Sequence, residues 1–132
     1  MGNAGRAQQG NTLIVDDEED MRLLLRFTID RANEGLKVIR EAASGEEALA
    51  IRGDLDVDVI VLDHRMPGLT GMETAEALLA RDPDLPIVLY SAFVDDELAA
   101  RAERVGIRRC VKKGDVGNLI STLHELTGTG AR

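Results

Sequence analysis

The regular alternation of short apolar runs with helical patterns is the feature that most constrains how this chain folds. Five runs have the length and composition of β-strands: Thr12–Val15, Leu36–Ala42, Val57–Leu62, Ile87–Tyr90 and Ile107–Val111. After each run, apolar residues recur at the spacing of one helix face, as at Met21, Leu24, Leu25 and Ile29. Strict strand–helix alternation predicts an α/β fold, in which a parallel sheet has helices on both faces.

Charged residues inside two of the runs predict the order of the strands. The first and fourth runs are uncharged, and the third is continuously apolar after Asp58, which suits the centre of a parallel sheet. The second run carries Lys37, Arg40 and Glu41, and the fifth carries Arg108 and Arg109, so these strands belong at the edges. With right-handed crossovers the natural order is 2-1-3-4-5, a doubly wound (βα)5 sheet. Ligands bind such a sheet where the carboxyl ends of strands one and three meet.

Length and charge narrow the classes of protein further. The chain of 132 residues suits one domain, which we predict at residues 11–127 between disordered ends at 1–10 and 128–132. Its formal net charge of −8 argues against direct nucleic-acid binding. No apolar run reaches the ~18 residues of a membrane span. The single cysteine, Cys110, fits the reducing cytoplasm, where we expect the protein to be located.

Aspartates follow the two strands that are expected to meet at this point of the sheet. Asp16 and Asp17 follow the first run, and Asp63 follows the third. Three carboxylates in one cleft repel each other, and Mg²⁺, which prefers oxygen ligands and retains several waters, relieves that repulsion. We expect Asp17 and Asp63 to bind the ion directly and Asp16 through a water, with a backbone carbonyl after Asp63 as another ligand. The segment DDEED alone is equally consistent with acids that stabilise the start of the first helix.

A carboxylate beside Mg²⁺ is a nucleophile for phosphorus, which gives Asp63 a chemical role. Phosphoryl transfer needs mainly positioning and neutralisation of charge. Ser91 at the end of the fourth run supplies a hydroxyl, and Lys113 just after the fifth supplies a cation. Each has a simpler interpretation, since serine is common at strand ends and Lys112 and Lys113 are consistent with solvated side chains. Their joint placement on one edge of the sheet favours the functional interpretation.

Together these residues form a pattern that resembles the receiver domain of two-component response regulators, the CheY-like family. The resemblance extends from about Asn11 to Leu126. Its motifs, in chain order, are Asp16-Asp17, Asp63 with Met66-Pro67 and Gly71 behind it, Ser91-Ala92, and Lys113. The resemblance implies a flavodoxin-like sandwich and a phosphorylation-activated switch in a phosphorelay, rather than an enzyme that turns over a substrate.

The resemblance also implies a role for each site residue. Asp63 would be the phosphoacceptor, loaded by a sensor histidine kinase or a phosphotransfer protein. Lys113 would pair with Asp63 and then with the phosphoryl group. Ser91 would donate a hydrogen bond to a phosphoryl oxygen and draw its loop inward. The implied Mg²⁺ ligands are Asp16 through water, Asp17, Asp63 and the backbone carbonyl of Arg65.

Two positions depart from the family pattern. Receivers usually have a Lys-Pro pair where this chain has Lys113-Gly114, and glycine permits backbone angles that let the loop keep its shape by another route. Three residues before that lysine, the family usually has a Tyr or Phe that moves inward, and here the residue is Cys110. Because a thiol has less apolar surface to bury than a ring, we expect Cys110 to contribute little to switching.

A concentration of positive charge in an acidic chain predicts a surface for protein partners. Residues 101–113 contain one acid, Glu103, and six basic residues, Arg101, Arg104, Arg108, Arg109, Lys112 and Lys113. We therefore predict that a downstream protein binds the face of the fourth helix, the fifth strand and the fifth helix. A solvated face without a partner is an equally simple interpretation.

Two other functions fit parts of the pattern. A phosphatase of the haloacid dehalogenase type also uses an aspartate nucleophile. The pattern of that type has a second acid two residues after the nucleophile, where this chain has Arg65. A degenerate receiver would act as a constitutive protein-binding module, but Asp63, Ser91 and Lys113 are all present. The sequence favours the phosphorylated switch, with the binding module as the alternative.

Overall fold

Five strands and five helices alternate along the chain, as the sequence predicts. The structure, a computed structural model, describes residues 9–51 and 56–130. The elements are β1 (Gly10–Val15), α1 (Glu19–Ala32), β2 (Leu36–Ala42), α2 (Gly45–Ile51), β3 (Val59–Leu62), α3 (Gly71–Arg81), β4 (Ile87–Ser91), α4 (Asp96–Val105), β5 (Arg109–Lys112) and α5 (Val116–Thr127). None of the helices in the described ranges is long and apolar enough to cross a membrane.

All five strands pair in parallel in one sheet, in the order β2-β1-β3-β4-β5. This order confirms the predicted doubly wound α/β class. Every residue of β3 and β4 is buried, and β1 has a single half-buried position, whereas β2 and β5 both contain exposed positions. The distribution of charge along the apolar runs therefore separated the central strands from the edge strands correctly.

The core consists of two largely aliphatic layers, one on each face of the sheet. On one face, Leu25 and Ile29 of α1 pack with Leu119 and Leu123 of α5. On the other face, the buried helix residues come from α2, α3 and α4. Of the chain's three aromatic residues only Tyr90 is buried, so the core depends on aliphatic side chains that each contribute roughly 1.5–3 kcal/mol.

The inward face of α1 differs from the predicted one. Leu25 and Ile29 are buried as expected, but Leu24 is 53% exposed. The side of α1 that faces the sheet also carries Arg22 and Arg26, which occupy neighbouring positions at helical spacing. Both arginines contact Glu41 of β2. They therefore occupy positions on the inward face of α1 at which the apolar pattern predicts leucine.

Three predicted strand starts are wrong by two residues. β1 begins earlier than predicted, at Gly10 rather than at Thr12. β3 begins at Val59, because its ladder with β1 begins there. β5 begins at Arg109 rather than at Ile107. Ile107 is buried, but its N donates to the Ala102 carbonyl at 2.9 Å, so it belongs to the turn that ends α4. An apolar residue that packs under a helix end looks like strand sequence when only its composition is considered.

The segments that we predicted to be disordered are only partly described. Residues 1–8 and 131–132 lie outside the described residues, and for them the prediction stays a prediction. Gly10 is the first residue of β1. Residues 128–130 follow α5, and Gly130 N donates to the Glu34 carbonyl at 3.0 Å. The described fold therefore extends slightly beyond residues 11–127 at both ends.

Candidate functional site

The strand ends bring the three predicted acidic residues together. β1 and β3 are neighbours whose last residues, Val15 and Leu62, are partners in the ladder. The pairing continues beyond the strands, because Asp63 N donates to the Val15 carbonyl at 2.9 Å. As a result, Asp16, Asp17 and Asp63 each offer a carboxylate oxygen, and these oxygens lie within 4.8 Å of one another.

Asp16 is held through each of its polar groups. Its N donates to the Ala42 carbonyl at 3.1 Å, and its carbonyl accepts from the Arg22 guanidinium at 2.7 Å. One carboxylate oxygen accepts from Glu18 N at 2.9 Å, and the other lies 3.1 Å from Lys113 Nζ. Asp16 is therefore fixed and buried, whereas its neighbour in the acidic pair is exposed to solvent.

The helix-start interpretation of DDEED accounts for only part of this segment. Glu19 and Asp20 lie in the first turn of α1, where acidic side chains are favourable. Asp16 and Asp17 precede that turn and cluster with Asp63 instead. The segment thus supplies both the helix start and the acidic site, with different residues.

Lys113 reaches the acidic cluster from beyond the end of β5. Its Nζ lies 3.1 Å from Asp16 Oδ2 and 3.3 Å from Asp63 Oδ1. Its backbone N donates to the Ser91 carbonyl at 2.8 Å, which anchors this loop to the end of β4. The lysine predicted from sequence is therefore a partner of the aspartates and not a solvated surface residue.

Gly114 and Cys110 are the two positions that depart from the family pattern, and the structure shows what each of them contacts. Gly114 has a φ of +99°, in the region that favours glycine, and its N donates to the Tyr90 hydroxyl at 2.9 Å. This arrangement supports Lys113 without a proline. Cys110 is half-buried against the core, and burial raises the pKa of its thiol.

Burial and charge shift the ionisation of two residues in the site. Burial, and then the negative charge of Asp16, raise the pKa of the Asp63 carboxyl, and contact with Lys113 offsets this only in part. Burial alone would lower the pKa of Lys113, but the carboxylates of Asp16 and Asp63 raise it overall. The lysine is therefore held in its charged form, and a divalent cation would further stabilise the crowded carboxylates.

Ser91 ends β4 beside this cluster, and its side chain is buried. It lines a cavity of about 190 Å³ together with His64, Arg65 and Phe93. The Arg65 guanidinium lies 5.1 Å from the centroid of the Phe93 ring, a cation–π contact that sequence reasoning missed. Burial, followed by the charges of Arg101 and Arg65, lowers the pKa of His64. Its Nδ1 is buried without a hydrogen-bond partner among the described residues.

The start of α3 packs directly against the backbone of the site. A Cβ atom on Gly71 would lie 2.4 Å from the Asp63 carbonyl oxygen and 2.7 Å from His64 Cα. Thr70 and Glu73 form a capping box that fixes this helix start. The T-x-x-E spacing is visible in the sequence and is the signal from which this box could have been predicted. Gly71 is thus required by close approach and not by an unusual φ.

The donor set fits Mg²⁺. The ion prefers hard oxygen ligands, retains several waters, and is usually bound by one or two carboxylates. One exposed and two buried carboxylates meet here, at the edge of the sheet that the strand order predicts. The predicted cluster of Asp16, Asp17 and Asp63 is therefore present, with Arg65 two residues after the last of them.

The basic residues of the strip predicted at residues 101–113 have different surroundings in the structure. Arg101 and Arg104 line a cleft between α4 and α3 that also contains two glutamates. Arg109 pairs with Glu125 of α5 at 2.7 Å. Lys113 lies in the acidic cluster. The strip is therefore not one continuous surface.

The fold and the site together define a class of protein. The chain belongs to the response regulator receiver domain family, whose family model matches residues 12–124. This membership confirms the resemblance to receiver domains of two-component response regulators and the flavodoxin-like fold that it implied.

Individual relatives agree with this membership. Response regulator GacA of Pseudomonas aeruginosa is 33% identical over 103 residues, which cover 77% of this chain and 47% of GacA. A LuxR-family two-component response regulator from Aurantimonas sp. SI85-9A1 has a TM-score of 0.84 at 27% identity, over 92% of this chain and 88% of that one. Chemotaxis protein CheY4 of Vibrio cholerae has a TM-score of 0.81 at 29% identity, over 89% and 98%. The chain spans about half the length of response regulators such as GacA.

Proposed function

We propose that this chain is a phosphorylation-activated switch of a two-component phosphorelay, and that Asp63 accepts the phosphoryl group in a Mg²⁺-dependent reaction. One observation carries the proposal. Oxygens of Asp16, Asp17 and Asp63 lie within 4.8 Å of one another, and Lys113 Nζ lies 3.3 Å from Asp63 Oδ1. Membership of the receiver family supports the same function.

Asp63 is the nucleophile in this proposal. One of its carboxylate oxygens forms a bond to phosphorus while the bond from phosphorus to the donor nitrogen breaks, and the donor leaves with that electron pair. Lys113 neutralises part of the negative charge on the phosphoryl oxygens. The Ser91 hydroxyl donates a hydrogen bond to one of these oxygens and draws residues 92–95 towards the site. The new charge thereby becomes a change of surface shape.

We propose Asp17, Asp63 and the Arg65 backbone carbonyl as direct Mg²⁺ ligands, with Asp16 acting through a water. The exposure of Asp17 supports this division. Asp16, in contrast, already accepts hydrogen bonds from two protein groups on its two carboxylate oxygens. When bound, Mg²⁺ neutralises the charge of the carboxylates and of the phosphoryl oxygens.

We propose that the chain is a phosphoacceptor and not a turnover enzyme. Arg65 stands where the haloacid dehalogenase pattern has a second acid. The alternative is a degenerate receiver that binds partners constitutively. The contacts of Lys113 with Asp16 and Asp63 favour the switch, because a receiver that has lost phosphorylation has no need to retain them.

We propose a sensor histidine kinase or phosphotransfer protein as donor, and the face of α4, β5 and α5 as the surface for a downstream protein. Arg108, Arg109 and Lys112 are exposed on this face, and a cleft of about 310 Å³ between α4 and β5 reaches Cys110. The net charge of −8 supports a protein partner over nucleic acid. The cytoplasmic location stays a prediction.

Phosphoryl uptake from acetyl phosphate, followed by intact mass, tests the proposed function. With Mg²⁺ the wild-type chain should gain one phosphoryl group, and with a chelator it should gain none. Asp63→Asn should gain none under either condition. Asp20→Asn, which makes the same charge change in the first turn of α1, should behave like wild type. If wild type gains no phosphoryl group with Mg²⁺, the constitutive binding module is favoured instead.

A further inference from the structure

Arg22 of α1 joins the edge strand β2 to the acidic turn after β1. Its Nε lies 3.2 Å from Glu41 Oε1, and a terminal nitrogen donates to the Asp16 carbonyl at 2.7 Å. Its side chain is only 16% exposed, against 40% for the neighbouring Arg26. A mostly buried guanidinium makes both contacts, so its charge is satisfied where it lies.

The contact with the Asp16 carbonyl acts on Asp17. The peptide bond is planar, so holding the Asp16 carbonyl fixes the plane from which the Asp17 backbone continues. Asp17 itself is exposed, and its position depends on this turn. The bond from Glu18 N to the Asp16 carboxylate closes a turn over the same peptide, and the Arg22 contact adds a direct hold on its carbonyl oxygen.

Glu41 in turn fixes the orientation of Arg22. It lies opposite Ile14 in the ladder between β1 and β2, which places it close to the acidic pair. Its second oxygen is 2.5 Å from Arg26 Nε, so one carboxylate neutralises two arginines of α1. A planar guanidinium reaches a carboxylate and a carbonyl at the same time, which the single ammonium of lysine does less well.

We propose that Arg22, oriented by Glu41, is a positioning residue that pre-organises the Asp16–Asp17 turn for Mg²⁺. This inference rests on the proposed function, since it assumes that the acidic cluster binds the ion. Arg22 has no contact with the reacting atoms, so it acts through the backbone of Asp16. Groups that orient metal ligands typically change metal affinity by about 10-fold to 100-fold when they are removed.

Mg²⁺ titration of the unphosphorylated protein, followed by backbone amide NMR shifts, tests this role. Arg22→Ala should weaken Mg²⁺ binding by about tenfold. Arg26→Ala is the matched control, because it removes the other arginine of Glu41 but leaves the Asp16 carbonyl contact. Its Mg²⁺ affinity should stay within about twofold of wild type. In the Mg²⁺-free protein, the Asp17 amide resonance should shift or broaden in Arg22→Ala and not in Arg26→Ala.

Each outcome tests either the role of Arg22 or the proposed function on which that role rests. Wild-type Mg²⁺ affinity in Arg22→Ala overturns the inference, and so does an equal loss in both variants, since that would reflect the packing of α1 alone. If Arg22→Ala gives no folded spectrum, Arg22→Lys replaces it, with at least about threefold weaker binding expected. Wild-type affinity in Arg22→Lys then overturns the inference. If the wild-type protein binds no Mg²⁺, the proposed function itself fails.

Discussion

The Asp63 carboxylate lies among groups that act on its charge in opposite directions. Burial and the negative charge of Asp16 oppose its ionisation, and Lys113, 3.3 Å away, favours it. The net effect is a pKa raised above the ordinary aspartate value of 3.8. Ionisation of this residue therefore depends on a nearby cation more than that of a solvated aspartate does.

At the residue scale, this predicts how Mg²⁺ affinity depends on pH. Only the ionised carboxylate binds the metal, so a proton competes with Mg²⁺ at Asp63. Because the pKa of Asp63 is raised, apparent affinity should fall, as pH decreases, at a higher pH than it would for an aspartate with the ordinary value of 3.8. Mg²⁺ titrations at a series of pH values measure this. Affinity that stays constant until the pH approaches that ordinary value would contradict the raised pKa.

At the element scale, the contact of α3 with the Asp63–His64 backbone links helix packing to the site. The helix start approaches so closely that no Cβ fits at Gly71. The closest atom to such a Cβ is a backbone oxygen of Asp63, which has no rotamer by which to move away. A group added at Gly71 therefore presses on the backbone of the proposed nucleophile.

Two glycine substitutions distinguish the effect of this close approach on stability from the general effect of replacing a glycine in a helix. Gly71→Ala should lower the free energy of unfolding by roughly 1–3 kcal/mol, because the new methyl overlaps backbone. Gly117→Ala in α5 has nothing within 4 Å of its Cβ and should raise it by roughly 0.5–1 kcal/mol. Urea denaturation of both variants measures the difference. Equal effects of the two substitutions would contradict the close approach at Gly71.

The arrangement of the strands explains why the sequence predicts the strand order and the acidic cluster well. In a parallel sheet, the order of the strands decides which strand ends meet, and the apolar and charged content of the runs separated edge from centre. Asp16, Asp17, Asp63 and Lys113 follow strands directly, so their meeting could be predicted from their positions along the chain.

Contacts between side chains on different elements could not be predicted in this way. The pairing of Arg22 with Glu41 and the stacking of Arg65 on Phe93 depend on how α1 and the loops pack on the sheet. Neither leaves a periodic signal in the sequence. The boundary at Ile107 failed for a related reason, since its side chain packs in the core while its backbone N bonds to the end of α4 and not to a neighbouring strand.

At the scale of the whole molecule, the proposed switch requires that phosphorylation at one edge of the sheet change a distant face. Ser91 lies at the end of β4, and residues 92–95 lead from it into α4. Cys110 lies in β5, half-buried against the same core, where the family usually has a ring. The proposed path therefore runs through Ser91 and its loop.

This predicts that Cys110 is dispensable for the conformational response. Beryllofluoride with Mg²⁺, a mimic of the phosphoryl group, should shift the amide resonances near Phe93 and Val94 strongly and that of Cys110 only modestly. Cys110→Ala should leave the shifts near Phe93 and Val94 largely intact, whereas Ser91→Ala should reduce them. If Cys110→Ala abolishes them, the thiol is part of the switch.

The location of the phosphoryl group on the chain tests the central claim most directly. After reaction with acetyl phosphate and Mg²⁺, borohydride reduction of the acyl phosphate followed by peptide mass spectrometry marks the modified carboxyl. The account predicts modification at Asp63 alone, with none at Asp16 or Asp17, and none anywhere in Asp63→Asn. Modification of another residue in the wild-type chain, or comparable phosphoryl uptake by Asp63→Asn, would contradict it.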